Sequence, residues 1–189
     1  MKLKIVYFGS SLAGKSTNVK KLYEILKKKG LVKGDMMVME TEEKRTLFVE
    51  MFISSISING YELELKVLTT PGQFRLHPLR KTIMKGVDGL VFVVDSSVER
   101  ERVNFLVLRE TAAVLKEQGE DLLKLPVVVQ YNKRDLLEAM DIEDMQFKFN
   151  PWNTDYVPAV AIRGEGVLET FQKIVRNVLV SKHVRSGNL

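Results

Sequence analysis

The chain predicts an α/β fold: a mostly parallel central sheet with one antiparallel edge strand and helices on both faces. Three observations carry this expectation. Short runs rich in Val, Ile, Leu and Phe alternate with stretches of helical spacing. The run Leu90-Val91-Phe92-Val93-Val94 has no polar alternation, as in a strand buried on both faces. Asn59-Gly60 joins two strand-like segments in the manner of a tight hairpin. With 189 residues, 45% of them hydrophobic, the chain is long enough for one domain over residues 1–189 and needs no second core.

In chain order, a first strand is expected over about Leu3 to Phe8. A helix then starts near Ser16, carries Val19, Leu22, Tyr23 and Leu26 at helical spacing, and stops at Gly30. Lys33 to Arg45 has turn residues, mixed charge and no period, so it reads as a loop. Leu47 to Ile58 and Tyr61 to Leu68 form the hairpin; Tyr61, Leu63, Leu65 and Val67 alternate with polar residues, which gives that strand one buried face. A loop from Thr70 to about His77 leads into a helical stretch through Lys85, and the apolar run at Leu90 follows. Phe105, Leu108, Ala112 and Leu115 mark the next helix, ended by Gly119, and Pro126 introduces the strand Val127 to Tyr131. A short helix is expected over Leu137 to Phe149, a last strand over Val157 to Ile162, and a final helix carrying Phe171, Ile174, Val175 and Val178.

The densest chemical signal is Gly9-Ser10-Ser11-Leu12-Ala13-Gly14-Lys15-Ser16-Thr17, a G-x-x-x-x-G-K-[ST] phosphate loop between the first strand and the first helix. Its glycines let successive N–H groups turn toward phosphate oxygens. Lys15 is placed for the β and γ phosphates, and the Ser16 hydroxyl for Mg²⁺. The helix N-terminus adds positive potential to the same place. At the carboxyl end of the Val127 strand stands Asn132-Lys133-Arg134-Asp135, an N-K-x-D guanine-reading motif. Asp135 can accept from guanine N1–H and the 2-amino group, Lys133 can lay its stem along the base, and Asn132 can brace the loop. Adenine offers neither donor in that arrangement and would strand a carboxylate, at a cost of about 1–3 kcal/mol per unmade bond. A backbone N–H near the end of the last strand, assigned to Ala161, would meet guanine O6.

Charge and composition exclude other classes. The net charge of +5 includes a Lys27-Lys28-Lys29 cluster, but both signs are mixed and no aromatic platform accompanies it, so no nucleic-acid site is expected. The chain has no Cys, which rules out a disulfide scaffold or thiolate metal site. No apolar run reaches the roughly twenty residues of a membrane span, and Met1-Lys2-Leu3-Lys4 and Ser186-Gly187-Asn188-Leu189 show neither leader nor lipidation signal. The expectation is a soluble, cytoplasmic protein without a stable membrane anchor.

These motifs, together with Arg45-Thr46-Leu47-Phe48, Thr70-Pro71-Gly72-Gln73 and Lys85-Gly86-Val87-Asp88-Gly89, resemble a Ras-like small GTPase over nearly the whole chain, and more closely the bacterial MglA-type GTPases of cell polarity and gliding. The resemblance implies a switch cycling between GTP and GDP with Mg²⁺, a roadblock-fold activating partner and a further effector. It implies that Gly72 donates its N–H to the γ-phosphate and that Gln73 orients the attacking water. Thr46, or alternatively Thr41, becomes the second hydroxyl on Mg²⁺. Arg45 is either a finger supplied in cis or a solvated loop charge.

Thr69 stands where most GTPases have an Asp. It can hold a metal-bound water but adds no charge, so weaker metal affinity is expected. The alternative to a hydrolase is therefore a GTP-bound scaffold with little turnover. Ser10-Ser11 and Phe74-Arg75-Leu76-His77 depart from the MglA-type pattern. His77 is expected at the surface, Trp152 and Met145 in or near the core, and Asp88 and Asp95 as structural carboxylates.

Overall fold

The apolar runs become the strands β1 (Lys2–Phe8), β3 (Val49–Ile58), β4 (Tyr61–Thr69), β5 (Gly89–Asp95) and β6 (Val127–Asn132), joined by the shorter-range β2 (Val32–Met39) and β7 (Tyr156–Pro158). The computed structural model describes residues 1–39, 49–58, 60–72 and 76–185. The sheet order is β2-β3-β4-β1-β5-β6-β7. β1 lies parallel to both β4 and β5, β5 parallel to β6, and β6 parallel to β7, while β3 runs antiparallel to its two neighbours. β3 is thus the one reversed strand, and β2 takes the edge beyond it.

Alternate residues of the central strands feed two cores. Val6, Phe8, Leu90, Phe92 and Val94 face α2 (His77–Met84), α3 (Glu101–Glu117) and α4 (Ile142–Phe149), meeting Met84, Val107, Val114 and Phe149. Ile5, Tyr7, Val91 and Val93 face α1 (Lys15–Lys28) and α5 (Val167–Arg185), meeting Leu22, Phe171 and Ile174. Two covered faces explain why the β5 run shows no alternation. Phe8 and Phe92 are register partners with rings stacked at 4.7 Å.

Four expectations are corrected. Lys33 to Met39, read as loop, belongs to β2; among the described residues this strand pairs with β3 alone and packs only Val32 and Met36 against the core, which leaves no hydrophobic period. The last strand ends at Pro158, and Ala161–Arg163 is a single 3₁₀ turn. α4 starts at Ile142, after turns, and not within the first residues past Leu137. The buried seam of α3 is Asn104, Val107, Thr111, Val114 and Leu115, so of the four marker residues only Leu115 is fully buried. The helix is rotated because Asn104 is needed inside: its Nδ2 donates to Asp95 O at 2.9 Å and its Oδ1 accepts from Ser10 Oγ at 3.3 Å. The hairpin keeps its register, Ile58 opposite Tyr61, with Gly60 at φ +80°; its Asn59 lies outside the described residues.

Candidate functional site

The site lies past the carboxyl ends of β1, β5 and β6, where a parallel sheet of this kind places ligands. Gly9 to Gly14 makes the turn from β1 into α1, with Gly14 as N-cap in the left-handed region at φ +102°. A Cβ there would overlap Asn132 Nδ2, so glycine is required twice over. Leu12, exposed and at φ +65°, and Lys133, at φ +66°, are non-glycine residues held in the same region, a strain that concentrates at ligand clamps.

Lys15 is 6% exposed, and its Nζ donates to Gly9 O at 2.9 Å and Ser10 O at 2.7 Å, which puts an ammonium at the centre of the loop. Burial, then the positive charges of Arg80 and Arg100, lower its pKa from 10.5 to about 7, against an opposing pull from Glu50. Ser16 and Thr17 sit half-buried in the first turn of α1.

The four-residue motif is wired to the phosphate loop. Asn132 Nδ2 donates to Ala13 O at 2.8 Å, while its Oδ1 accepts the Ala161 N–H at 2.9 Å. The amide assigned to guanine O6 is therefore engaged with Asn132. Lys133 Nζ reaches Asp95 Oδ2 at 2.7 Å, and Asp135 stays open to solvent with Arg163 at 3.9 Å. Beneath the motif, Gln130 Nε2 donates to Asn18 Oδ1 and Thr170 Oγ1, both at 2.8 Å, and Asn18 Nδ2 donates to Gly14 O at 3.0 Å. This chain of bonds joins β6, α1 and α5.

Gly72 approaches from the other side. A Cβ on it would lie 2.6 Å from Ser11 N and 3.0 Å from Lys15 Nζ, so this glycine is pressed onto the loop. Thr69 is 1% exposed; its hydroxyl donates to Glu50 Oε2 at 2.7 Å and accepts the Glu50 N–H at 3.0 Å. Gln73, Arg45, Thr46 and Thr41 lie outside the described residues.

Sequence reading missed Glu50. This carboxylate is 1% exposed, bonded to Thr69 through Oε2, while Oε1 has no hydrogen-bond donor among the described residues and lies 3.8 Å from Lys20 Nζ. The signal was an acidic residue in the otherwise apolar Val49-Glu50-Met51-Phe52. Asp95 and Arg100 were also missed as site residues: Arg100 Nη2 donates to Ser11 O at 2.6 Å and its Nε lies 3.9 Å from Asp95. Asp88, by contrast, is structural as expected, accepting from Lys4 N and pairing with Lys182. His77 is half-exposed beside Glu110 and Glu117, Met145 is buried, and Trp152 packs at the core margin.

A seven-stranded sheet carrying a phosphate loop wired to an N-K-x-D turn defines a small GTPase of the Ras-like class, and the chain belongs to the ADP-ribosylation factor family, whose profile matches residues 1–178. It is 42% identical over 177 residues to the mutual gliding-motility protein MglA of Myxococcus xanthus, a match covering 93% of this chain and 90% of that protein, so the chain is of the MglA type. It is also 31% identical over 112 residues to human ADP-ribosylation factor-like protein 4A, covering 54% of this chain and 52% of that one. ADP-ribosylation factor-like protein 3 of Saccharomyces cerevisiae is 25% identical over 178 residues, covering 90% and 83%. The chain is thereby a GTP-binding switch protein and, as a family member, a GTP hydrolase. No helix among the described residues is long and apolar enough to cross a membrane.

Proposed function

We propose that the chain binds GTP in the cradle formed by Gly9, Leu12, Ala13, Gly14, Lys15, Ser16 and Thr17, reads guanine through Asn132, Lys133, Asp135 and the Ala161 amide, and hydrolyses the γ-phosphate to switch partners. The observation that carries this reading is the Asn132 side chain, bonded at once to Ala13 O in the phosphate loop and to the Ala161 N–H in the base-reading turn. The Ala161 contact to O6 requires that amide to be shared with the base or handed to it.

The donor chemistry fits Mg²⁺. A buried carboxylate oxygen without a donor among the described residues, backed by the Thr69 hydroxyl, is a hard-oxygen environment, and phosphate oxygens would complete the shell. Bound there, the ion would neutralise charge developing on the phosphates. Ser16 and Thr46 would supply hydroxyl ligands. Thr69 holds Glu50, and Glu50 brings the negative charge that Thr69 lacks, which offsets the weaker affinity expected from Thr69 alone and takes support from the non-hydrolysing scaffold alternative. Gly72 N–H would meet the γ-phosphate, Gln73 would orient water, and Arg45 would stabilise charge on the transferring group.

By its likeness to a gliding-motility protein, the chain acts in cell polarity or motility in the cytoplasm, with turnover slow until a roadblock-fold partner activates it and an effector that prefers the GTP state. The test is competition of GTP and ATP for wild type and Asp135→Asn: GTP displaces ATP from wild type and loses its advantage in the variant. ATP prevailing in wild type ends the reading. Single-turnover hydrolysis of preloaded GTP, with and without the partner, measures the enzyme; no turnover in either condition leaves the scaffold.

A further inference from the structure

Arg80 heads the fully buried side chains by size among the described residues, at 1% exposure. An arginine this deep persists only when paired. Its Nη1 pairs with Glu110 of α3, and Nη2 donates to Pro71 O at 3.0 Å, from inside α2. The same Glu110 oxygen also lies 3.5 Å from His77 Nδ1. Pro71 O and Gly72 N–H are opposite ends of one planar trans peptide and point in opposite directions. Fixing the oxygen fixes the hydrogen. Gly72 is also the residue pressed against Ser11 N and Lys15 Nζ.

We propose that Arg80, braced by Glu110, is a positioning residue for the γ-phosphate contact: its grip on Pro71 O aims the Gly72 N–H toward the phosphate loop. The inference rests on the reading that Gly72 serves the γ-phosphate. An α2–α3 tie serving packing alone could be apolar at less desolvation cost; only a forked cation can hold a carboxylate and a carbonyl together. The α2 segment thereby reports on α3, since movement of Glu110 relaxes the same peptide.

The test uses the full chain with GDP and a non-hydrolysable GTP analogue, measuring both affinities for wild type, Arg80→Lys and Glu110→Gln. Expected is an analogue affinity weakened roughly tenfold with GDP affinity within about twofold of wild type, because only the triphosphate meets Gly72. Equal weakening of both nucleotides, or an unchanged ratio in a variant with a cooperative melt, overturns the positioning role. If Arg80→Lys does not fold, Glu110→Gln decides, since it keeps the side-chain shape while removing the charge and one of the two acceptor oxygens that brace Arg80. Wild type failing to bind either guanine nucleotide overturns the underlying reading of the site and this inference with it.

Discussion

On the proposed reading, Glu50 supplies the charge that Thr69 lacks at the metal. Thr69 brings no charge, yet it positions a buried carboxylate whose second oxygen has no donor among the described residues. Glu50→Gln should raise the Mg²⁺ concentration needed to slow nucleotide release by about tenfold, the range seen for groups that support a metal shell indirectly. A release rate titrated with Mg²⁺ checks this, and an unchanged midpoint would sink the assignment. Lys15 makes a second prediction. Its pKa of about 7 in the folded protein lies below its ordinary 10.5, so between those values the unfolded chain holds more protons. Stability must therefore rise as pH climbs from about 7 toward 10.5, and this contribution is constant outside that window. Denaturant midpoints of wild type relative to Lys15→Met, followed across the window, should show the rise in wild type only. Triphosphate binding reverses the balance, restoring the charge on Lys15 with uptake of a proton near pH 8, about a unit above its pKa.

Among elements, the turn after β6 and the loop after β1 act as one because Asn132 ties them. Asn132→Ala leaves Ala13 O and the Ala161 N–H unpaired, at about 1–3 kcal/mol for each buried group left unsatisfied. GDP and GTP should both dissociate at least about tenfold faster by that arithmetic, in contrast to the GTP-selective defect expected for Arg80 variants. Stopped-flow release of a fluorescent nucleotide separates the two patterns. Elements built on apolar periodicity, such as β1, β5 and β6, were legible because burial on a sheet face leaves a pattern in the sequence. β2 was not, since an edge strand that packs only Val32 and Met36 against the core leaves no hydrophobic period. The face of α3 was misread because polar Asn104 and Thr111 occupy its buried seam for reasons that lie across the fold. The phosphate loop and the N-K-x-D turn were readable as contiguous motifs. Glu50, Asp95, Arg100 and Arg80 each have a partner 19 to 89 positions away, a relation that spacing along the chain does not reveal.

At the scale of the molecule, the two cores meet at the central strands, and the site sits on their shared edge. Phe92 contacts the Phe8 and Phe149 rings, so Phe92→Ala should cost about 3–5 kcal/mol by denaturation. Ligand linkage gives a milder, reversible change: GTP at about 100 times its dissociation constant adds about 2.7 kcal/mol and raises the melting temperature by roughly 5–10 °C, whereas ATP at the same concentration should leave it within about 1 °C. Under the recognition turn, the Gln130 amide serves α1 through Asn18 and α5 through Thr170. Anyone transplanting the proposed guanine-reading turn into another α/β scaffold would therefore have to move this trio along with the four visible residues. The portable unit is a three-element splice, and a graft of Asn132 to Asp135 alone would arrive without its foundation.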